Sequence, residues 1–419
     1  MKQNFGIAFV TGRPQFTRLL RTYFGNWKEH GLIENEDVDL HLFVVYDVTY
    51  KNVPREEFRD IPPDIAESLA SINIYGRREV DAERERLVGR GALTKDEGEL
   101  LFGEGYAKKR NAALYFALQQ NMNRLLFLDD DEYPVAVTKT GTGSLAWMGQ
   151  SILATHLKYG KNADITNGLH CGYISPIPRI RFDNDLTESD FRTFIEAISN
   201  DILSWESVKR TIFDNGGVTY ADAEILLHPE PSVVPEEYGR KFISGGNLSI
   251  GLDVTKHIPV FYNPPGARGE DAFMSTMLSG HNVVRVPCYS FHDAFSQCPQ
   301  ILDGVLPQQL KAARPRAKET VNRFARAVLG WARYKPLLTY ITQREKYDQI
   351  MSEATRKLDE TAPKLSRFFN APRFEMIASE FRKYHANVLE HHQSFEATKR
   401  AWSKAVGSLR GDLAVKAGV

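Results

Sequence analysis

Leu125-Leu126-Phe127-Leu128-Asp129-Asp130-Asp131-Glu132-Tyr133-Pro134 runs four apolar residues straight into four acids, and a proline follows one residue later. A short continuous apolar run reads as a strand buried on both faces, the kind found inside a parallel sheet. The carboxylates then stand at its carboxyl end, where open α/β sheets receive their ligands. Adjacent carboxylates repel one another, and each is costly to keep ionised beside a low-dielectric core. A divalent cation removes that cost. Mg²⁺ or Mn²⁺ takes one or two carboxylates and completes its shell with water and substrate phosphates. The competing local reading is a solvated acidic turn, or an Asp capping a helix.

Working outward, Phe5-Gly6-Ile7-Ala8-Phe9-Val10 reads as a second buried strand, followed by the tight turn Thr11-Gly12-Arg13-Pro14. Residues 15–30 have helical spacing through Phe16, Leu19, Leu20, Tyr23, Phe24 and Trp27. Residues 40–46 form a strand ending at Asp47, and 71–75 a weaker one. Residues 77–104 are highly charged and read as a helical, mobile connection; 106–120 read as a helix. Strand alternating with helix implies βαβ units and a mostly parallel sheet flanked by helices, an α/β fold. Downstream, the pattern predicts a helix over 143–159, a strand over 163–173, a helix near 188–209 and a Pro-rich loop at 229–235. A helix over 272–279 and a strand over 283–286 follow, and from about 306 the chain reads as helical.

At 419 residues the chain has room for two domains, or one with an appendage. It is 42% hydrophobic and 25% charged with no net charge, so it has no overall pull toward nucleic acid. The balance hides an asymmetry. From residue 301 onward there are 22 Lys and Arg against 12 Asp and Glu, so residues 1–300 are acidic. Cys171, Cys288 and Cys298 are too few and scattered for a disulfide framework or zinc site, which suits a reduced, cytoplasmic compartment. Residues 1–10 lack a signal-peptide layout, and no run approaches the roughly 18 apolar residues of a spanning helix.

Four stretches line up in order: Gly105-Tyr106-Ala107-Lys108-Lys109-Arg110-Asn111, Leu128-Asp129-Asp130-Asp131, Ile243-Ser244-Gly245-Gly246-Asn247, and Gly269-Glu270-Asp271 with His292 about twenty residues later. The series resembles the GT-A glycosyltransferases, a Rossmann-like fold of nucleotide-diphospho-sugar transferases. The resemblance is to the large inverting group that builds polysaccharides, and it covers roughly residues 5–295. It implies that residues 1–300 are the catalytic domain, with 181–240 an insertion shaping the acceptor side. Asp129 and Asp131 would be the metal-binding Asp-x-Asp, with His292 a further metal or phosphate ligand. Asp271 would be the general base and Glu270 its acidic neighbour. Asp130 would contact the donor ribose or sugar, and Asp47 the nucleobase. Thr11 and Arg13 would line the nucleotide pocket, and Arg110 would face the nucleotide or its diphosphate. The chain departs from the pattern at Thr11-Gly12-Arg13-Pro14 and at Lys108-Lys109-Arg110-Asn111. It also has no Gln-x-x-Arg-Trp segment after His292, which favours single addition over polymerisation.

The chemistry asks for these residue types in its own right. Transfer from a nucleotide diphosphate leaves an anionic group that a divalent ion and an Arg neutralise. The attacking hydroxyl must lose a proton, which a carboxylate from a separate segment takes. Gly266 and Gly269 allow a close or mobile approach of that segment, and Gly245-Gly246 lets backbone reach the donor sugar, with Asn247 offering hydrogen bonds. The expected activity is sugar transfer from a nucleotide-sugar, a UDP-sugar first, to a hydroxyl of a glycan, lipid-linked or other acceptor. Two alternatives remain open: a sugar-phosphate nucleotidyltransferase, and a nucleotide-sugar-binding protein with a degenerate site.

Residues 301–419 carry helical apolar stripes among bases such as Arg314, Arg316, Lys318, Arg323, Arg326 and Arg333. One reading is peripheral contact with anionic lipid at the inner face of the membrane. The favoured one is a helical appendage packed on the catalytic domain or on a second subunit in a homo-oligomer.

Overall fold

The computed structural model describes residues 2–199, 205–253 and 255–417, with side chains to residue 411. Thirteen strands occur among the described residues. They are β1 (Gln3–Thr11), β2 (Val38–Tyr46), β3 (Ser71–Tyr75), β4 (Arg124–Leu128), β5 (Glu132–Tyr133), β6 (Val135–Lys139) and β7 (Leu145–Gly149). Then come β8 (Ile165–Gly172), β9 (Ser232–Val233), β10 (Glu236–Glu237), β11 (Arg240–Lys241), β12 (Leu248–Gly251) and β13 (Val283–His292). The main sheet has the order β3-β2-β1-β4-β12-β8-β13-β5, with β9 pairing the start of β13.

The continuous apolar runs are explained by two-sided burial. Phe5, Ile7 and Phe9 of β1, with Leu126 and Leu128 of β4, pack on one face against Leu19, Tyr23 and Trp27 of the helix Phe16–Glu29. Ala8, Val10, Leu125 and Phe127 point to the other face, into a core with the helix Tyr106–Gln119. Such alternation leaves no polar position over residues 5–10 of β1 or 125–128 of β4.

The sheet is mixed where the sequence suggested a mostly parallel one. β1, β2, β3 and β4 are parallel, and β13 is parallel to β8. β12 sits in the middle, antiparallel to both β4 and β8. The reason is its starting point. Gly245-Gly246-Asn247 lies at the carboxyl ends of the parallel strands, so the strand that follows must run back down.

Three local expectations are corrected. Residues 143–159 are not one helix: β6 and β7 form a hairpin, and only Ile152–Gly160 is helical. The turn depends on Gly143 at φ +83°, whose N–H donates to the Thr140 carbonyl at 2.9 Å. The last long strand runs to His292, not Val286, because a register shift between Arg285 and Tyr289 accommodates Pro287. Residues 77–104 are helical, as Arg77–Gly89 and Lys95–Phe102, and they are packed: Leu87, Leu101 and Phe102 are fully buried. A reciprocal cap between Thr94 and Glu97 starts the second of these helices.

The helix expected near 188–209 is seen as Glu188–Ile198 and Trp205–Lys209, with 200–204 outside the described residues. Phe191, Phe194 and Trp205 share one apolar core with Phe324, Phe369 and Phe374 of the carboxyl-terminal part. The helices Glu188–Ile198 and Trp205–Lys209 thus form one helical layer with the carboxyl-terminal helices. The long helices there are Lys318–Thr342, Tyr347–Phe369, Met376–Ala386 and Val388–Ala417. The last one packs Trp402 and Leu409 into the same core as the helix Tyr106–Gln119, and Trp402 Nε1 donates to the Ile258 carbonyl at 2.8 Å. No helix among the described residues is long and apolar enough to cross a membrane.

Candidate functional site

The crevice lies where the connections of the sheet diverge. β1 leads to β2 on one side, and the chain later returns to β4 on the other. Open sheets bind ligands outside the carboxyl ends of such a pair. Thr11 ends β1, and Asp129-Asp130-Asp131 follows β4. Thr11 Oγ1 donates to Asp130 Oδ2 at 2.8 Å. Arg13 Nε lies 2.9 Å from Asp130 Oδ1, and its Nη2 lies 2.7 Å from Asp131 Oδ2. From the other side, His292 Nε2 is 3.3 Å from Asp131 Oδ1. The register explains this approach: His292 closes β13 directly opposite Glu132 of β5.

Arg110 joins the two acidic segments. It is only 1% exposed, with its guanidinium 4.9, 5.3 and 5.4 Å from the rings of Tyr106, Phe127 and Phe261. Nη2 donates to Asp129 Oδ1 at 2.6 Å and Nη1 to the Gly245 carbonyl. Nε stands 3.7 Å from Glu270 Oε1. The Gly245 N–H in turn donates to Asp271 Oδ2 at 3.1 Å, and the Ala272 N–H to Asp271 Oδ1 at 2.8 Å. A continuous polar path therefore runs from Asp129 through Arg110 and Gly245 to Asp271.

The glycine pair is set by close approach. A Cβ on Gly246 would stand 2.7 Å from Glu132 Oε1 and 2.9 Å from Asp129 Oδ2, and one on Gly245 would stand 3.1 Å from the Arg110 guanidinium. Gly266 and Gly269 serve differently. Both have positive φ, and their loop is gripped by the carboxyl-terminal helices. Arg333 Nη1 donates to the Gly266 carbonyl at 2.8 Å, Tyr384 Oη donates to the Pro265 carbonyl, and the Tyr334 ring packs on Gly269. The loop that presents Glu270-Asp271 is anchored, where the sequence allowed it to be mobile.

The charges are strongly differentiated. Burial pushes Asp130 up to about 7, with Arg13 opposing and Asp131 adding to the rise. Burial also acts to raise Asp131, but His292 and Arg13 outweigh it and hold the carboxyl well below its usual range. Burial disfavours a charged His292, yet Asp131 and Glu132 prevail and raise its pKa. Burial and the neighbouring Asp271 carry Glu270 up to about 7. Asp271 is raised by burial against the pull of Arg110 and its backbone donors. Burial and opposing charges thus set neighbouring carboxyls apart in their affinity for protons, as both ion-pair networks and proton-transfer sites require.

The structure brings Thr11, Arg13, Arg110, Asp129, Asp130, Asp131, Gly245, Gly246, Glu270, Asp271 and His292 together. Asp47 stands at the rim. Its backbone N–H donates to the Thr11 carbonyl at 2.9 Å, while its carboxylate pairs with Lys109 and Thr49. Asn247 is turned away, contrary to its expected place on the donor sugar. It is fully buried, its Oδ1 lies 2.8 Å from His156 Nε2, and its Nδ2 donates to the Leu169 and Cys288 carbonyls. Three residues were missed: Tyr106, Glu132 and His170. Tyr106 Oη donates to Asp129 Oδ1 at 3.1 Å, and His170 Nε2 lies 3.0 Å from Glu132 Oε1. Thr166, Asn167 and His170 inside one buried strand were the available signal, since buried polar groups need partners.

Among the described residues, no three His, Cys, Asp or Glu side chains are arranged to hold a metal ion. A hard divalent ion bound mainly through substrate phosphates needs only one or two carboxylates. Two do converge: Asp129 Oδ2 and both Glu132 oxygens lie within 3.0 Å of the point a Gly246 Cβ would fill. Glu132 Oε2 is buried there without a hydrogen-bond partner. The donor set is oxygen-rich with one imidazole, which suits Mn²⁺ or Mg²⁺. No protein-family model matches the chain, and no curated protein matches its sequence.

Proposed function

We propose that this protein is a metal-dependent glycosyltransferase of the GT-A kind. In this reading it moves a sugar from a nucleotide-sugar, a UDP-sugar first, to a hydroxyl of a glycan or lipid-linked acceptor, with inversion. The observation that supports it most is the path from Asp129 through Arg110 and Gly245 to Asp271, which sets a metal-type acid cluster and a base-type acid pair around one crevice.

Asp129 and Glu132, whose oxygens converge at Gly246, would hold Mn²⁺ or Mg²⁺, with Asp131 and His292, the ligands expected from the sequence, paired beside them. When bound, the ion supplies positive charge to the donor's diphosphate. Thr11, Arg13 and Asp47 line the nucleotide end, and Asp130 faces the ribose or sugar. Gly245-Gly246 forms the floor under the sugar. The acceptor oxygen bonds to the anomeric carbon as the bond from that carbon to the diphosphate oxygen breaks. The electron pair leaves with the diphosphate, and the hydroxyl proton goes to the Asp271 carboxylate. Glu270, with its raised pKa, keeps a second proton position beside the base.

The test is a thermal-shift and hydrolysis screen of nucleotide-sugars with Mn²⁺, comparing wild type with Asp131→Ala. Stabilisation or slow hydrolysis by one nucleotide-sugar, abolished by the substitution and by chelator, is the expected result. No response to any nucleotide-sugar overturns the reading.

A further inference from the structure

One face of the helix Lys318–Thr342 packs on the loop through Gly269 that leads into Glu270-Asp271. Arg323, Ala327, Gly330 and Tyr334 recur at helical spacing and so share that face. Tyr334 packs on Gly269, and the Arg268 side chain lies across Gly330, its Cγ 3.0 Å from where a Cβ would stand. Farther up the same face, the Arg323 guanidinium lies 5.0 Å from the ring of Phe295, three residues beyond His292. The helix is held in this orientation from behind. Phe324 is fully buried, with ring contacts to Phe191, Phe369 and Phe374 at 6.1, 5.7 and 5.4 Å.

Arg323 makes an unusual choice of surroundings. Its Nε is buried and finds no hydrogen-bond partner. It interacts electrostatically with Asp131, but also with two like charges, Arg13 and Arg268. Burial, with those two arginines, brings its pKa down to about 10 despite the pull of Asp131. Arg13 already holds both Asp130 and Asp131. A buried guanidinium with a donor unused, within electrostatic reach of two other arginines, is a standing cost in the free protein. A ligand with several anionic oxygens removes it, because guanidinium forks match phosphate geometry.

We propose that Arg323, from the carboxyl-terminal helical layer, acts with Arg13 and Arg268 as a receiver for the diphosphate of the nucleotide-sugar, and for the nucleoside diphosphate it leaves behind. This rests on the reading given under Proposed function. It makes Arg323 a positioning and charge-neutralising residue opposite the acid cluster, and makes the helical layer part of the site.

The experiment measures binding of UDP, GDP, UMP and GMP to the full chain with Mn²⁺ by calorimetry. It compares wild type, Arg323→Ala, Arg323→Met and, as a control on the same helix, Arg326→Ala. Arg323→Met keeps the stem over Phe295 and guards against a folding defect. The expected result is a loss of about tenfold or more in diphosphate affinity in both Arg323 variants. Monophosphate affinity should fall much less, so the preference for diphosphate collapses, while Arg326→Ala behaves as wild type. A merely structural role would lower both affinities together, and that outcome overturns the proposal, as does unchanged diphosphate affinity. If wild type itself binds no nucleoside diphosphate, the glycosyltransferase reading falls and the proposal falls with it.

Discussion

Arg110 Nη2 lies 2.6 Å from Asp129 Oδ1, and the arginine is almost wholly sealed from water. A buried pair of this kind adds little net stability against an apolar substitute, but losing one partner strands the other. Arg110→Met should therefore destabilise the protein by about 3 kcal/mol, less whatever the part-exposed Asp129 recovers from solvent. Urea denaturation measures it. Combining Arg110→Met with Asp129→Asn should recover part of the loss, and a double variant no better than the single would contradict the pairing.

Gly246→Ala tests the cradle directly. Its Cβ has nowhere to go except toward Glu132 Oε1 and Asp129 Oδ2. The expected outcome is loss of the Mn²⁺-dependent thermal shift and a drop in activity of about tenfold or more. Thermal stability without metal should change far less than the metal response does. Equal Mn²⁺ stabilisation in wild type and variant would show that the two carboxylates do not act there.

Asp271→Asn removes the proposed proton acceptor at nearly constant side-chain volume, and its single amide oxygen can accept from only one of the Gly245 and Ala272 N–H groups that the two carboxylate oxygens now serve. Turnover should fall about 10²- to 10⁴-fold, with donor binding little changed. Steady-state kinetics with separate measurement of donor affinity distinguishes this from a general collapse of the site. Glu270→Gln should cost less turnover than Asp271→Asn.

His156 supplies a pH test away from the crevice. It is fully buried between Thr166 Oγ1 at 2.7 Å and Asn247 Oδ1 at 2.8 Å. Burial pushes its pKa down to about 4 from an ordinary 6.5. The unfolded chain takes up a proton as pH falls through 6.5, while the folded chain declines it until near 4. This contribution to stability is thus complete above pH 6.5 and is lost as pH falls toward 4, by about 3 kcal/mol. Denaturation midpoints across that range should show the slope in wild type and a flatter line in His156→Gln.

Trp402→Ala probes the join between the last helix and the sheet layer. The indole is 2% exposed and its N–H is bonded to the Ile258 carbonyl. A loss of about 3–5 kcal/mol is expected from denaturant unfolding.

The strands and the crevice were legible because their physics is local. An apolar run buried on both faces looks the same in any context, and Asp129-Asp130-Asp131 advertises its charge. Residues 143–159 were misread because Leu145 to Gly149 is too short to show a period, and the Gly143 turn resembles a loop entering a helix. Asn247 was misplaced for another reason. Its neighbours Gly245 and Gly246 do face the acids, but at φ +49° the backbone turns its side chain under the sheet toward His156. Arg323 reads in the sequence as one base among many, since nothing local shows that helix packing carries it over Phe295 and within electrostatic reach of Asp131.

The reversed strand β12 has a consequence for how the molecule forms. It is the only link across the sheet between the β3-β2-β1-β4 group and the β8-β13 group among the described residues. It is four residues long, and it pairs Leu248 with Phe127, far back in the chain. Pairings over such separations close late, after local units have formed. The crevice floor, Gly245-Gly246, is the entry to that strand. The two half-sheets can therefore mature separately, but an assembled crevice appears only with the last insertion, so a probe of the Arg110–Gly245 contact during refolding reports completion of the sheet itself.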